Sequence, residues 1–266
     1  MCRVKQTNKQ NTITNKQNFY FMTITQTLQA PEKSYKKVKN LLSPGATNIK
    51  TAKNDLETFI LYMAPADTVK GLNLCPFASI GCKKSCLYSA GRGRFSNVQL
   101  SRINKSKFWG YDRGAFYIQL ANELLKIHDK AINKDIKIAI RLNGTSDIDH
   151  LDLLQRYSGI NFLDSFYNNL LFYDYTKNHN YVKKYLGSNY KITFSRSETN
   201  ENDAYRILMD GGNVAIVFKD QLPDTWNGFE VINGDLTDLR YFDPINVVIG
   251  LKAKGDAKKD ITGFVL

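Results

Sequence analysis

The sequence predicts an α/β protein built on a mostly parallel sheet, and three observations carry that prediction. Six short apolar runs recur between residues 58 and 251. They are hydrophobic along most of their length instead of alternating with polar residues, as in strands buried on both faces. Helical stretches separate most of them, so the sheet is covered by helices on at least one face. Right-handed crossovers of this kind open into a doubly wound sheet or curl into a barrel or part of one. The 266 residues, 42% hydrophobic and 12% aromatic, suffice to bury a core.

Residues 1–33 are rich in Asn, Gln, Thr and Lys and show no periodic apolar face, which predicts a flexible basic tail, with Met22 as an alternative start. Residues 34–266 read as one domain without repeats or an internal linker. Its first strand is Thr58–Met63, an apolar and aromatic run bounded by Pro65, and it leads into a cysteine-bearing loop. Residues 97–134 place Val98, Ile103, Phe108, Phe116, Leu120, Leu124 and Ile127 at helical spacing, predicting two helices broken near Gly110 or Gly114. Strand Ile136–Leu142 follows, then helix 150–161, strand Leu170–Asp174, helix 180–186, strand Tyr190–Phe194, helix 201–209 and strand Val214–Phe218. Val247–Leu251 is the last strand.

The net charge of +12 is unevenly placed. Residues 1–110 carry eighteen Lys or Arg against four acids, whereas residues 111–266 carry nineteen against twenty-one. A positive field over the cysteine-bearing half attracts phosphate backbones or nucleotides, although a solvated lysine-rich surface accounts for it equally well. No apolar run is long enough to span a bilayer and the amino terminus lacks the order of a secretory signal, so a cytoplasmic protein without a membrane partner is expected. Reducing conditions there, and an odd cluster of three, turn Cys75, Cys82 and Cys86 away from disulfides and toward metal binding or catalysis.

Polar clusters follow the later strands: Asn143, Ser146 and Asp147; Asp174, Tyr175 and Lys177; Ser195, Arg196 and Glu198; Lys219 and Asp220; Lys252 and Lys254. In parallel α/β folds the site lies at the carboxyl ends of the strands, so these residues and the cysteine loop are expected on one face. Capping of the next helix is the competing role for Asp147 and Ser195. For the thiols, structural zinc wants four protein ligands, usually in Cys-x2-Cys knuckles. The spacings here are six and three, and a fourth ligand would have to be Cys2, His128, His150 or His179. An iron–sulfur cubane held by three cysteines, with one iron open to a small molecule, suits the trio better.

Three cysteines in the loop after the first strand of an alternating β/α chain resemble the radical S-adenosylmethionine superfamily, though the usual spacing there is three then two and Ser85 replaces the aromatic before the last cysteine. That resemblance implies a partial (β/α)6, TIM-like barrel. It also implies a [4Fe-4S] cluster on Cys75, Cys82 and Cys86, S-adenosylmethionine as second cofactor, and an electron donor for its reductive cleavage. By the same resemblance Arg196 would hold the methionyl carboxylate, with Asn143, Ser146, Asp147 and Ser195 around the amino group or ribose. Asp174, Tyr175 and Lys177 would stand at the reacting substrate. Lys83, Lys84, Arg92, Arg94, Asp235, Arg240, Lys252 and Lys254 would complete its binding, with a nucleotide or nucleic acid expected from the basic residues.

From about Leu41 to its end the chain is also similar to the phage gene-product-88-like family. The segments that carry this are Asn-Ile-Lys-Thr-Ala-Lys-Asn (48–54), Leu-Cys-Pro-Phe-Ala-Ser-Ile-Gly-Cys (74–82), Arg-Leu-Asn-Gly-Thr-Ser-Asp (141–147), Tyr-Asp-Tyr-Thr-Lys (173–177), Gly-Asp-Leu-Thr-Asp-Leu-Arg (234–240) and Gly-Leu-Lys-Ala-Lys-Gly (250–255). This resemblance implies a phage or prophage setting and brings no activity with it.

Two other classes compete. In a binding protein, zinc or a cluster would be a structural clip and the basic half would dock on nucleic acid, with Phe95, Phe108, Trp109 and Tyr111 either stacking on bases or packing in the core. A hydrolase would gather Asp147, Asp149, Asp235 and Asp238 about a divalent cation, but no spacing pattern ties these acids together. Of the histidines, His128 reads as helix surface, His150 as a helix start and His179 as a polar turn, the last being the best fourth metal ligand. The excursion 232–240 has no assigned role, and the oligomeric state is not legible.

Overall fold

The computed structural model of the chain describes residues 35–47, 56–86, 88 and 91–266. The predicted tail and the segment 48–54 lie outside the described residues.

All six predicted strands form. They are β2 (Thr58–Leu61), β3 (Ile138–Arg141), β4 (Leu170–Thr176), β5 (Tyr190–Ser195), β6 (Asn213–Phe218) and β9 (Val248–Lys252). Three short strands join them: β1 (Leu42–Pro44), β7 (Thr225–Trp226) and β8 (Phe229–Asn233). Among the described residues the sheet has nine strands in the order β1-β2-β3-β4-β5-β6-β9-β8-β7. Strands β2 to β6, β9 and β8 run parallel, while β1 and β7 pair antiparallel to their neighbours. The helices are α1 (Ile80–Lys84), α2 (Ser96–Tyr111), α3 (Arg113–Asn133), α4 (His150–Ser158), α5 (Phe162–Ser165), α6 (His179–Tyr185) and α7 (Glu201–Met209).

The sheet is open. A closed β/α barrel would need the first parallel strand to pair with the last, but β1 occupies the outer edge of β2 and β8 that of β9. Consecutive strands β2 to β6 are neighbours, so each right-handed crossover returns its helix to the same face. On that face α3 to α7 pack over Ile138, Ile140, Phe172, Phe194, Val214 and Ile216. The opposite face is covered by the excursion between β8 and β9, whose Leu239, Tyr241 and Val247 lie against Ala139, Tyr173, Ala215 and Ile249. Of the stretch 232–240, without a role in the sequence, Ile232 and Asn233 end β8 and the rest belongs to this cover. The apolar strands are thus buried on both faces, as their composition requires, but by different materials.

The helix break falls at neither predicted glycine. Asp112 separates α2 from α3 and its carboxylate accepts the Ala115 N–H, an amino-terminal cap. Gly110 instead makes room for Leu72, whose Cδ1 would stand 2.5 Å from an added Cβ. The β7–β8 hairpin turns on Asn227 and Gly228, both at positive φ, +50° and +84°. An Asn-Gly pair between apolar residues is a hairpin signal legible in the sequence. Strand β1 is tied down from its side: the Leu41 and Leu42 N–H groups donate to the Glu123 carboxylate of α3 at 2.8 Å, and Lys105 Nζ donates to the Leu41 carbonyl at 2.6 Å.

The start of the excursion is held close to the sheet. The Gly234 N–H donates to the Gly250 carbonyl at 2.9 Å, and an added Cβ would collide with Ile249 and stand 3.0 Å from Leu251. Gly234→Ala is expected to cost about 1–3 kcal/mol by overpacking. Leu236→Ala, at a side chain 68% exposed, is expected to change stability by less than about 0.5 kcal/mol. Urea midpoints of the two variants check this, and equal effects would mean that the cover is not seated as described.

Candidate functional site at the strand ends

The loops leaving β2, β3 and β4 are bound together by one buried residue, Asp147, through its carboxylate and its amide. Asp147 accepts the Thr176 hydroxyl at 2.5 Å and the Lys177 N–H at 2.9 Å, and its own N–H donates to the Leu74 carbonyl at 2.8 Å, next to Cys75. Burial pushes its pKa upward, against the pull of these donors and of the Lys177 charge. Around it the β3 loop is internally satisfied. The Asn143 side chain accepts from Ser146 Oγ and the Ile148 N–H and donates to the Ile148 carbonyl, and Thr145 Oγ1 donates to the Met63 carbonyl. Asp147 caps no helix; Asp149 caps α4 by accepting the Asp152 N–H.

The cysteines come to this face on a short helix that is clamped at its start. Ser79 caps α1 by accepting the Cys82 N–H, and the Glu198 carboxylate, from the loop after β5, accepts both the Ser79 hydroxyl at 2.8 Å and the Gly81 N–H at 2.7 Å. An added Cβ at Gly81 would stand 2.7 Å from Phe264 Cβ, so α1 lies directly on the carboxyl-terminal segment. Cys75 reaches the Thr145 carbonyl at 3.8 Å. Burial pushes the Cys75 thiol up to about 12, with the negative charges of Asp147, Cys86 and Cys82 adding to the shift. Burial also raises Cys86, whose thiolate is favoured in turn by Lys177 and Arg102. The three sulfurs therefore share one electrostatic neighbourhood as free thiols. No group of three His, Cys, Asp or Glu among the described residues is gathered closely enough to hold a metal ion.

Two cations reach this neighbourhood. Lys177 Nζ donates to Ser195 Oγ at 2.8 Å and lies 5.5 Å from the centre of the Phe264 ring, so Ser195 holds Lys177, while Asn200 stands at the start of α7. Arg102, on α2, sits 4.8 Å from the Tyr62 ring and 5.5 Å from the Tyr88 ring. Nothing in the spacing of α2 singles it out; only the rings folded around it do. Glu198, which the sequence offers as one polar residue among several, is the clamp on α1.

The remaining candidate residues are placed elsewhere or engaged internally. Arg196 is 5% exposed; its Nε and Nη2 bind Glu201 while Nη1 donates to the Gly263 carbonyl at 2.5 Å and the Phe264 carbonyl at 3.2 Å, fastening the carboxyl-terminal segment. Asp174 is buried beneath the β3 loop, accepting the Leu142 and Asn143 N–H groups and the Tyr190 hydroxyl. Burial pushes its pKa up to about 7, against the pull of Arg141 and of these three donors. Tyr175 lies under the Arg141 guanidinium at 4.8 Å, and Arg141 bonds Asp238 of the cover at 2.8 Å. Asp235 accepts from the Lys252 N–H and Lys254 Nζ, and Arg240 pairs with Asp243. The Asp235 contacts fasten the cover to β9 and Arg240 pairs within it; none of these contacts involves Lys177. Lys83 pairs with Asp67, while Lys84, Arg92 and Arg94 are exposed.

The acids proposed for a divalent cation are separated in the same way, with Asp149 bound to Lys184 and Tyr185. His150 is a core residue: its Nδ1 meets the Tyr117 hydroxyl at 3.0 Å and burial pushes its pKa down to about 3. His128 packs edge-on against Phe166, and His179 starts α6 at 3.7 Å from Asp203. Of the aromatics, Phe108 and Trp109 are core while Phe95 and Tyr111 are exposed.

Over residues 23–266 the sequence matches the family model described as gene product 88. The chain belongs to the gene product 88 family. No curated protein and no solved structure matches it. The segments by which the sequence resembles this family fall, where described, in two places. Residues 74–82, 141–147, 173–177 and 250–255 lie at strand ends, and residues 234–240 lie in the cover. Among the described residues no helix is long and apolar enough to cross a membrane.

Two outcomes follow from these environments. Only the thiolate is nucleophilic, so in metal-free protein at pH 8 iodoacetamide should modify Cys75 at least about a hundredfold more slowly than a free cysteine. Peptide mass mapping reads this, and a rate within tenfold of the free thiol would contradict the buried setting. For Asp174 the folded pKa lies above the unfolded one, so the stability its proton contributes is complete below about pH 4 and is lost as the pH rises through about 7. Relative to Asp174→Asn, the wild type should lose up to about 1.4 kcal/mol of unfolding free energy per pH unit across that window. Parallel pH profiles for the two would show that Asp174 does not carry the shift.

Proposed function

We propose that the chain is an iron–sulfur protein in which Cys75, Cys82 and Cys86 hold a [4Fe-4S] cluster, acting on a nucleotide or nucleic acid in the manner of a radical S-adenosylmethionine enzyme in a phage setting. The observation that carries this reading is the shared electrostatic neighbourhood of the three thiols at the carboxyl ends of parallel strands. A single tetrahedral ion draws its sulfurs to one point, whereas each cysteine of a cubane meets a different iron, so thiols that act on one another's charge without gathering about one point speak for a cubane over zinc. The consecutive order of β2 to β6 is that in which a β/α barrel lays down its strands, and we read the sheet as a partial barrel left open.

When bound, such a cluster supplies an open coordination position and one-electron chemistry, with S-adenosylmethionine as its ligand and an external electron donor. The chain's own residues do the rest. Glu198 and the close contact at Gly81 fix α1 and so orient Cys82. Lys177 and Arg102 favour the deprotonated Cys86 that ligation requires. The Lys177–Ser195 pair offers an ammonium and a hydroxyl to a ligand at the strand ends. Arg196, bound to Glu201 and to the carboxyl-terminal segment, is not available as the carboxylate clamp.

A second reading is a nucleic-acid-binding protein with the cluster or zinc as a clip. It is favoured by Phe77 and Phe95, 46% and 50% exposed, close in sequence to Lys83, Lys84, Arg92 and Arg94. Exposed rings beside cations suit stacking on single strands.

Anaerobic reconstitution with iron and sulfide tests the first reading. It expects a brown protein with about four iron per chain, a change in the spectrum of the reduced cluster on adding S-adenosylmethionine, and loss of colour in Cys82→Ala. A colourless protein that retains zinc, or salt-sensitive nucleic-acid binding indifferent to S-adenosylmethionine, would favour the second reading.

A further inference from the structure

A cavity of about 360 Å³ lies between the segment leading into β1 and the middle of α2, and it shares no residue with the strand-end site. Three lysines, Lys37, Lys39 and Lys105, line it, and no acid does so among the described residues. Its volume falls at the lower end of small-molecule sites, which join an apolar wall to a few convergent polar groups. Here the apolar wall is Val38, Leu42 and Pro44.

Lys105 is the one buried lysine of the described residues, 6% exposed. Its Nζ donates to the Leu41 carbonyl at 2.6 Å. Leu41 stands in the chain between Asn40 and Leu42, both of which line the cavity, so the ammonium is seated at the cavity wall. An ammonium has three donors, and the Leu41 carbonyl takes one of them. Lys83, Lys130, Lys184 and Lys254 each pair with an acid, whereas Lys105 forms no ion pair among the described residues. Burial pushes its pKa down to about 8, against the pull of Glu123. That carboxylate is already committed to the Leu41 and Leu42 N–H groups and to Gln119 Nε2. A buried cation short of counter-charge gains from an anion brought to it.

The opposite lysines stand on a fastened segment. The Asn104 side chain accepts the Lys36 N–H and donates to the Lys36 carbonyl, both at 2.7 Å, and Gln119 Nε2 donates to the Val38 carbonyl at 3.2 Å. Lys37 and Lys39 are exposed, and neither pairs with an acid among the described residues. A wall held in this way is ordered before any ligand arrives, which lowers the cost of binding. Three ammonium groups about one space match the multiple charge and several acceptor oxygens of a phosphate better than the single charge of a carboxylate.

We propose that this cavity takes the phosphate group of a small ligand, held by Lys37, Lys39 and Lys105, with Val38, Leu42 and Pro44 against the rest of the molecule. The site is separate from the cysteines and needs no cluster.

Calorimetric titration of full-length, metal-free protein tests this, with adenosine monophosphate, inorganic phosphate and adenosine as probes at equal ionic strength. A phosphate probe should bind and adenosine should not. Lys37→Gln with Lys39→Gln should weaken the Kd at least about fivefold, as loss of charge-assisted bonds requires. Lys258→Gln with Lys259→Gln removes the same charge from exposed positions outside the cavity and should leave the Kd unchanged. Tighter binding of adenosine monophosphate than of inorganic phosphate assigns a phosphorylated organic ligand, and equal binding a free phosphate ion. Binding of neither, an equal response to adenosine, or an equal loss in the two double variants would overturn the proposal. So would a folded Lys105→Met with full affinity; should that variant not fold, the exposed pair decides. An oligonucleotide bound more tightly than the mononucleotide, with that gain lost in the Lys37 and Lys39 variant, would replace the small ligand by a nucleic-acid face. Because no metal is present, the result is scored apart from cluster reconstitution, and either reading can fall without the other.

Discussion

The tie on which the strand-end face depends is the buried carboxylate of Asp147. A parallel sheet brings the loops after its strands to one side, but it does not bind them to one another. Asp147 does so by joining the end of β4 through Thr176 and Lys177, while its own amide holds Leu74 at the approach to Cys75. Three consecutive strand ends thereby become one platform. A buried acid of this kind is costly unless fully bonded, and both of its oxygens are engaged. Glu198 extends the platform from β5 to α1, so four strands position the cysteine helix.

The two faces of the sheet divide the work. The helices α3 to α7 bury one face with ordinary apolar packing. The other face is covered by irregular backbone, which must satisfy its polar groups individually, and it carries the charged pairs Arg141–Asp238, Arg240–Asp243 and Lys254–Asp235. Polar residues after strands therefore divide into two sets with different tasks. Those after β2 to β5 include the candidate site, whereas Lys252 and Lys254 after β9 fasten the cover.

The strands were legible because burial on both faces leaves a continuous apolar run, and the helices because one face repeats at 3.6 residues. Strand β1 was not, since three residues ending in proline carry no pattern, whereas Asn227-Gly228 is a local signal for the β7–β8 hairpin. Asp147 and Lys177 could be named from their positions after strands. Asp174 and Tyr175, next to one another, could not be sorted from Lys177 by sequence, because alternation along β4 sends neighbours to opposite faces. Arg196 stands where a ligand clamp would be expected, and only the fold shows Glu201 and the carboxyl-terminal carbonyls already occupying it. Arg102 had no signal at all: an arginine in mid-helix reads as a solvated face until Tyr62 and Tyr88 are brought around it from other elements.

The anchoring of β1 has a consequence for how the molecule behaves in company. A sheet that does not close leaves two borders, and a border with unpaired amides recruits strands from other chains. Here the one flank is three residues long, ends at Pro44 and has its leading N–H groups taken by Glu123. The other flank is the two-residue β7. Each offers a neighbouring chain only a short template to extend, so the sheet keeps open borders without presenting a long unpaired edge.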